Sequence, residues 1–353
     1  MRAAYERRLL RPSAASGGAG QAGIFDLVAI NEIADAETLA YLTQYDSTHG
    51  RFPARVEVVD DQLQLHAADD KGSHVASELL AIPEASCLPW AQLDVDCVLE
   101  CTGELRTTAE ARDHIDAGAN QVLLSNPGES AIPAIVYGIN HSQLIPNNKE
   151  GFSPSSIISA ASCTSNALLP AVSALDEAFG VDSGVVTTIH AAMHDQPVID
   201  AYHGGDLRKN RASSQSFIPV STELAAGVGR VLPHLAGRFI AQAIRVPVTN
   251  VSALNVTVNL KKGRGNEALQ AGDVNRLLRE AGNSFPANVM RVSDLPLASC
   301  DFIHDACSGT IDAQQTQLIG DGTVNLLIWF DNEWAFANRM LDILLLLEQA
   351  KGD

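Results

Sequence analysis

Ser159-Ala160-Ala161-Ser162-Cys163-Thr164-Ser165-Asn166 divides the chain into two textures. Before it, short apolar runs alternate with helical patterns. Strands are expected at Phe25–Asn31, Asp96–Cys101, Gln121–Ser125 and Ile157–Ala160, with helices between them, as at Ala36–Gln44 and Thr108–Ala117. Strands alternating with helices point to an α/β fold with a parallel, doubly wound sheet. After Cys163 a helix is expected at once, over Ala167–Phe179. Longer strand-like runs follow at Gly184–Ala192, Phe239–Pro247, Ser252–Leu260 and Thr323–Phe330, and a last helix spans about Glu333–Gln349. These runs fit an α+β domain on a mixed or antiparallel sheet. The division expected is a first domain over 1–161, completed by the terminal helix 333–353, and a second over 162–332.

One glycine motif misleads. Gly18-Ala19-Gly20-Gln21-Ala22-Gly23 reads G-x-G-x-x-G letter for letter. Such a motif cradles a pyrophosphate only when it follows a strand and opens a helix, so that backbone N–H groups and the helix N-terminus face the phosphate. Here the helix-like Arg2–Leu10 comes before and the strand Phe25–Asn31 after. Ser13–Gly23 is small and flexible in composition, as a linker would be.

The formal net charge of the 353-residue chain is −18. An acidic surface repels nucleic acid and anionic membranes, so neither is an expected partner. No apolar run approaches the roughly 18 residues that mark a membrane span. The Arg-rich Met1–Ser13 is short and carries Glu6, a weak match to a presequence, so the cytoplasm is the expected compartment. The six cysteines, Cys87, Cys97, Cys101, Cys163, Cys300 and Cys307, follow no metal spacing and read as core thiols in a reducing compartment.

Cys163 stands between a short apolar run and a helix. The positive end of a helix dipole lowers a thiol pKa and favours thiolate, and the free N–H groups there can hold an oxyanion. Ser162 and Thr164 flank it with hydroxyls. His190 ends the run Val185-Val186-Thr187-Thr188-Ile189, where a strand's end can project into a cleft; taken alone, it reads first as a structural histidine, as do His194, His203 and His234. Arg208, Lys209 and Arg211 cluster in an otherwise acidic chain. Arg245 lies inside the apolar pattern Ala243-Ile244-Arg245-Val246-Pro247, so it must find an anion or a carboxylate.

Together with Tyr45-Asp46-Ser47-Thr48-His49-Gly50-Arg51-Phe52 and Trp329-Phe330-Asp331-Asn332-Glu333-Trp334, these stretches resemble the glyceraldehyde-3-phosphate dehydrogenase superfamily, in family order from about Tyr5 to the C-terminus. Within it the chain is most similar to the erythrose-4-phosphate dehydrogenase branch. The stretch that carries this is Ile189-His190-Ala191-Ala192-Met193-His194-Asp195-Gln196, continuing into Val198-Ile199-Asp200-Ala201-Tyr202-His203. Glyceraldehyde-phosphate enzymes carry phosphate-binding Thr residues just after the histidine. Met193 and Asp195 cannot replace two hydroxyls around a dianion, so that site is expected to be weak.

The resemblance implies an NAD-dependent aldehyde dehydrogenase, a homotetramer acting on a small phosphorylated aldehyde. Cys163 would be the nucleophile and His190 its base. Ser162, Thr164, Thr222 and Arg245 match the family's substrate contacts, and Arg208 and Lys209 lie where a further basic contact is expected. Glu223 puts a carboxylate beside that anion site, which is unhelpful unless it turns away. Asn332 matches the residue that holds the nicotinamide carboxamide, and Glu32, after the strand that ends at Asn31, the acid that bonds the adenosine ribose. Asn31, Thr102, Gly103 and Ser125 complete the implied cofactor contacts. Pro83 falls where relatives carry an Arg near the adenine. Met1–Arg7 resembles the middle of the family's first helix, so the first strand and its glycine turn are expected to be absent. Either the true start lies upstream of Met1, or the chain is a degenerate, non-enzymatic member that has lost NAD binding.

Overall fold

The computed structural model describes residues 1–12, 23–67, 74–145, 156–261, 269–320 and 322–352. Most of the G-x-G-x-x-G stretch, residues 18–22, lies outside them. The chain forms two compact units, Met1–Glu100 with Thr107–Leu123, and Cys101–Arg106 with Leu124–Asp353. Among the described residues no helix is long and apolar enough to cross a membrane.

The first unit opens with α1 (Arg2–Glu6), shorter than the expected Arg2–Leu10. Arg8 takes a positive φ of 56°, which turns the chain out of the helix. Leu10 then forms an isolated parallel bridge with Phe25. The expected strand from Phe25 is therefore ladder-paired only over β1 (Ala29–Asn31). Helix α2 (Ala36–Gln44) starts where Asp35 accepts the N–H of Thr38. A short pair, β2 (Tyr45–Asp46) and β3 (Gly50–Arg51), follows it.

Three strands absent from the expectation come next: β4 (Ala54–Val59), β5 (Gln62–Ala67) and β6 (His74–Leu80). They join β1 in a sheet of order β1-β6-β5-β4. Only the β1·β6 pairing is parallel; β6·β5 and β5·β4 are antiparallel. The unit is the expected α/β, Rossmann-like NAD domain, and its β1-β6-β5-β4 sheet adds the antiparallel β4 and β5 to a parallel β1·β6 pair. Phe52, Ala54, Leu63, Leu65 and Val75 form its core, with Tyr5 and Leu10 against them. Gln44 ties α2 to it: its side-chain N–H groups donate to the carbonyls of Phe52 and Ala54, and its oxygen accepts from the N–H of Val56. Further on, β7 (Cys97–Glu100) is hydrogen-bonded to β8 (Gln121–Leu124), and α3 (Thr108–Asp116), closed by a Thr107–Glu110 capping box, connects them.

The second unit holds β9 (Ile157–Ser159), α4 (Cys163–Phe179), β10 (Val181–Ala191), β11 (Ile218–Val220) and α5 (Leu224–Val231). Then come β12 (Phe239–Val246), β13 (Ser252–Leu260), α6 (Ala271–Ser284), β14 (Met290–Ser293), β15 (Gly309–Asp312), β16 (Gln317–Ile319), β17 (Thr323–Phe330) and α7 (Trp334–Gly352). Its large sheet runs β11-β12-β10-β13-β17-β15-β14, with β16 on β17. β10 pairs parallel to β12 and antiparallel to β13, so the sheet is mixed, as expected.

One face of this sheet buries α4. Leu168, Leu169, Val172 and Leu175 of α4 pack with Val186, Val256, Leu326 and Ile328 of the strands in one core. The helix approaches closely at Gly309, where a Cβ would come within 2.7 Å of the Ala167 carbonyl oxygen. Helix α4 is thus pinned near its N-terminal end, the end that carries Cys163.

Candidate active site

Helix α4 begins at Cys163 itself, four residues before the expected Ala167. Ser162 is its N-cap, accepting the N–H of Ser165 at 3.1 Å. The turn before it is built from buried polar groups. Asn166, 2% exposed, donates to the carbonyls of Ala160 and Ser162, both at 2.9 Å. Ser159 Oγ accepts the N–H of Ala161, a residue held at φ 60°, and donates to the Asn126 carbonyl. Ala160 N–H donates to the Leu124 carbonyl at 3.0 Å, which ties this turn to the segment leading into Ser125. The hydroxyls of Ser162 and Thr164 lie 2.9 Å apart beside the thiol.

His190 sits near the end of β10, in register with Arg245 of β12. Its Nδ1 lies 2.8 Å from the carbonyl oxygen of Ala191, and its Nε2 lies 3.8 Å from Cys163 Sγ. A carbonyl only accepts, so Nδ1 carries the proton. Nε2 is then left with its lone pair toward the thiol, the tautomer a base requires. Phe330 meets the imidazole edge-on at 6.5 Å between ring centres.

The ionisation of the pair differs from the expectation. Burial pushes the Cys163 thiol up to about 11, against the lowering effect of the Thr164 and Cys163 backbone N–H groups, and the Asp331 charge adds to the rise. Burial also pushes His190 down, ahead of the Ala191 carbonyl, which raises it. A helix N-terminus does favour thiolate, but here the loss of water around the sulfur outweighs it. Burial thus works against both the thiolate at Cys163 and the imidazolium at His190.

Arg245 has the partner its position demands. Its side chain is 9% exposed and ion-pairs with Oδ1 of Asp195, while Lys209 Nζ lies 2.7 Å from Oδ2 of the same carboxylate. Arg245 also donates to Gln196 Oε1 at 3.2 Å. Burial works to raise the Asp195 carboxyl; the bonds from Arg245 and Lys209 override it and hold it at about 2. Arg208, on the same short turn as Lys209, stands exposed outside this cluster. Thr222 Oγ1 accepts the N–H of Leu224 at the start of α5. Glu223 is exposed and its charge acts on Arg230.

The expected cofactor residues fall in both units. In the second, Ser252 Oγ accepts the N–H of Ala191 and donates to Oδ1 of Asn332 at 2.8 Å. That orients the Asn332 amide, leaving its N–H₂ to donate to a carboxamide, so Asn332 suits the nicotinamide end. Asp331, 1% exposed, accepts the N–H groups of His304, Glu333 and Trp334, and so sets the start of α7 and the place of Asn332. Gly103 takes φ +76° with open space where a side chain would be, and Thr102 Oγ1 accepts the N–H of Glu104. Ser125, half-buried, follows β8.

In the first unit, Glu32 is exposed and spends one oxygen, Oε1, on the N–H of Ile33; Oε2 suits a ribose hydroxyl. The Asn31 side chain instead clamps β1, donating to the Ile82 carbonyl and accepting the Ile82 N–H, both at 3.0 Å. Among the described residues no glycine-rich turn joins a strand to a helix N-terminus.

Several residues that position the site were given no role from the sequence: Asn166, Ser252, Gln196, and Asp331 as a cap. Asn166, Gln196 and Asp331 lie inside the quoted motifs; Ser252 had no local signal. The cysteine reading also needs correction. Cys87, Cys101 and Cys300 are exposed and only Cys307 is buried, so the thiols other than Cys163 are mostly not core residues. The strand ends close to Cys101, which carries that residue out of the sheet.

Residues 10–108 match the family model described as the glyceraldehyde 3-phosphate dehydrogenase NAD binding domain, a family domain whose cofactor is NAD. Residues 162–332 match that of the glyceraldehyde 3-phosphate dehydrogenase C-terminal domain, which begins at Ser162 beside the thiol and ends at Asn332. With both domain models matched in order on a chain whose Cys163 and His190 face each other, the chain belongs to the glyceraldehyde-3-phosphate dehydrogenase superfamily.

Proposed function

We propose that the chain catalyses the NAD-dependent oxidation of D-erythrose 4-phosphate to 4-phosphoerythronate, the class of acid that feeds pyridoxal phosphate synthesis. The observation that carries the chemistry is the alignment of His190 Nε2 on Cys163 Sγ at 3.8 Å, with Nδ1 committed to Ala191. As the sulfur attacks the aldehyde carbon, its proton passes to Nε2, the C–S bond forms and the carbonyl oxygen takes up charge. The N–H groups at the start of α4 and the imidazolium face that oxygen. Bound NAD supplies the acceptor for the hydride that leaves the carbon, and Asn332 would hold its carboxamide. What remains on Cys163 is a thioester. The proton on Nε2 passes to solvent, and the neutral His190 then takes a proton from water as the water oxygen attacks the thioester carbon; the C–S bond breaks, the acid leaves, and the departing sulfur takes the proton back from Nε2.

Ser162, Thr164, Thr222 and Arg245 are the proposed substrate contacts, with Lys209 beside Arg245. Asn332, Glu32, Thr102, Gly103 and Ser125 are the proposed cofactor contacts; Asn31 contributes by holding the end of β1. The preference for the four-carbon aldehyde is supported by Met193 and Asp195, which stand where glyceraldehyde-phosphate enzymes place phosphate-binding hydroxyls. We further propose a cytoplasmic homotetramer. The exposed apolar side chains of Val198, Ile199, Tyr202, Leu207 and Phe217 are surface that subunit contact would cover.

The test is NADH formation from each aldehyde, with and without inorganic phosphate. Oxidation of erythrose 4-phosphate that needs no phosphate and yields the free acid supports the proposal. Strict dependence on phosphate with glyceraldehyde 3-phosphate overturns it in favour of the phosphorylating reaction.

A further inference from the structure

His190 owes its tautomer to one carbonyl, and that carbonyl is held from the turn between β12 and β13. The Ala191 carbonyl lies 2.8 Å from His190 Nδ1. It shares a peptide unit with the Ala192 N–H, which donates to the Val248 carbonyl at 3.0 Å. A planar trans peptide points its two polar groups in opposite directions, so fixing the N–H end fixes the aim of the C=O end. Val248 is tied in turn to the end of β12, its N–H donating to the Val246 carbonyl at 2.8 Å.

The other end of this turn is a strained residue. Val251 has φ 67°, a left-handed conformation that a β-branched residue seldom adopts, and it is 2% exposed. Asn250 enforces it, its Oδ1 accepting the Val251 N–H at 2.7 Å. Asn250 is itself 4% exposed, and its Nδ2 has no hydrogen-bond partner among the described residues. A buried amide without a full set of bonds is unfavourable, and so is the Val251 backbone. Closing a turn needs neither, because glycine takes a positive φ without strain. The same device stands before the nucleophile, where Ala161, at φ 60°, has its N–H held by Ser159 Oγ. In each case the next residue is a serine of the site: Ser162 caps α4, and Ser252 orients Asn332.

We propose that Asn250 and Val251 are positioning residues for the general base. They set the turn so that Val248 fixes the Ala191–Ala192 peptide, which keeps the proton on Nδ1 of His190 and leaves Nε2 open to the Cys163 thiol. This rests on the reading of His190 as the base and goes beyond it in naming what orients the base. When the turn relaxes, Nδ1 loses its acceptor and the imidazole divides between two tautomers. Only one of them can take the thiol proton.

The test is acetylation of Cys163 by p-nitrophenyl acetate in the full chain, without NAD, run as a double-mutant cycle. Asn250→Ala removes the oxygen that holds Val251 and is expected to slow acetylation about tenfold. In a His190→Asn background the same substitution is expected to change the rate by less than about twofold, because no base is left to misplace. Asn250→Asp keeps the accepting oxygen and is expected to restore most of the rate. Asn250→Leu, close to asparagine in volume, gives the same reading should the alanine variant fold poorly. A wild-type rate in the folded Ala or Leu variant overturns the proposal. So does an equal slowing in both backgrounds, or an aspartate variant as slow as the alanine one. A His190→Asn chain as fast as the wild type would refute the reading of His190 as the base, and the proposal with it.

Discussion

The Nε2 atom of His190 faces Cys163 Sγ because its Nδ1–H is taken by the Ala191 carbonyl, one residue along the same strand. The tautomer is therefore set by local backbone. The thiol comes from α4 and the imidazole from β10, and both elements share the core that runs under the large sheet. Replacing His190 by Asn removes the base while keeping a polar side chain of similar reach. Aldehyde oxidation is expected to fall about 10²–10⁴-fold, with kcat reduced and the unfolding midpoint little changed. Steady-state kinetics with thermal denaturation check this.

Burial of the pair has a signature in pH. A thiol raised to about 11 contributes little thiolate at neutral pH, and that fraction grows tenfold per unit until the pKa is reached. In the ligand-free chain, alkylation of Cys163 by iodoacetamide is expected to rise steadily from pH 6 to pH 10. A plateau beginning near neutrality would show a preformed thiolate–imidazolium pair instead. Peptide mass mapping separates Cys163 from the exposed Cys87, Cys101 and Cys300.

Asn166 holds the turn before the nucleophile through two side-chain bonds to carbonyls. Asn166→Ala leaves those acceptors inside the protein without their donor and is expected to cost about 1–3 kcal/mol of stability. Urea denaturation measures it. Activity should fall as well, since the Ala160–Ser162 turn fixes where α4 starts.

Gly309 lies under Ala167, with no room for a Cβ before the helix backbone is met. Gly309→Ala is expected to destabilise the second unit by about 1–3 kcal/mol, typical of overpacking. It should also slow acylation of Cys163, because the displaced segment is the first turn of α4.

Ser252 relays from the Ala191 N–H to Asn332. Ser252→Ala removes the bond that orients the Asn332 amide. NAD binding, followed by calorimetry, is expected to weaken several-fold while acylation of Cys163 by an ester is unchanged. An equal loss in both would point to a general disturbance of β13.

The long strands of the second unit were legible because each is a sustained run of apolar and β-branched residues; Ser252–Leu260 and Thr323–Phe330 fall where the sequence places them. The hairpin β4–β5 carries an equally clear pattern in the sequence. Ala54-Arg55-Val56-Glu57-Val58 and Gln62-Leu63-Gln64-Leu65 alternate with period two, and Asp60 and Asp61, at φ 50° and 60°, make the two-residue turn between them. Ser, Thr and Asn carry low helical propensity, which hides the start of α4 in the sequence; in the fold they serve as its cap and first turn. Cys163, His190 and Arg245 were visible as motifs, but their electrostatics were not. Whether a thiol is raised or lowered depends on how much water the fold removes from it. Whether Arg245 meets a ligand or a carboxylate depends on where Asp195, 50 residues away in sequence, turns its side chain. The Ser252–Asn332 bond spans 80 residues and leaves no local trace.

The central claim is that Cys163, activated by His190, is the group that becomes acylated. It can be read without the hydride step, from the burst of p-nitrophenolate and the acetyl adduct formed with p-nitrophenyl acetate. The expected result is one acetyl group per chain, on the peptide bearing Cys163, formed about 10²-fold or more slowly in His190→Asn. Acetylation spread over Cys87, Cys101 and Cys300, or a Cys163 rate indifferent to His190, would contradict it.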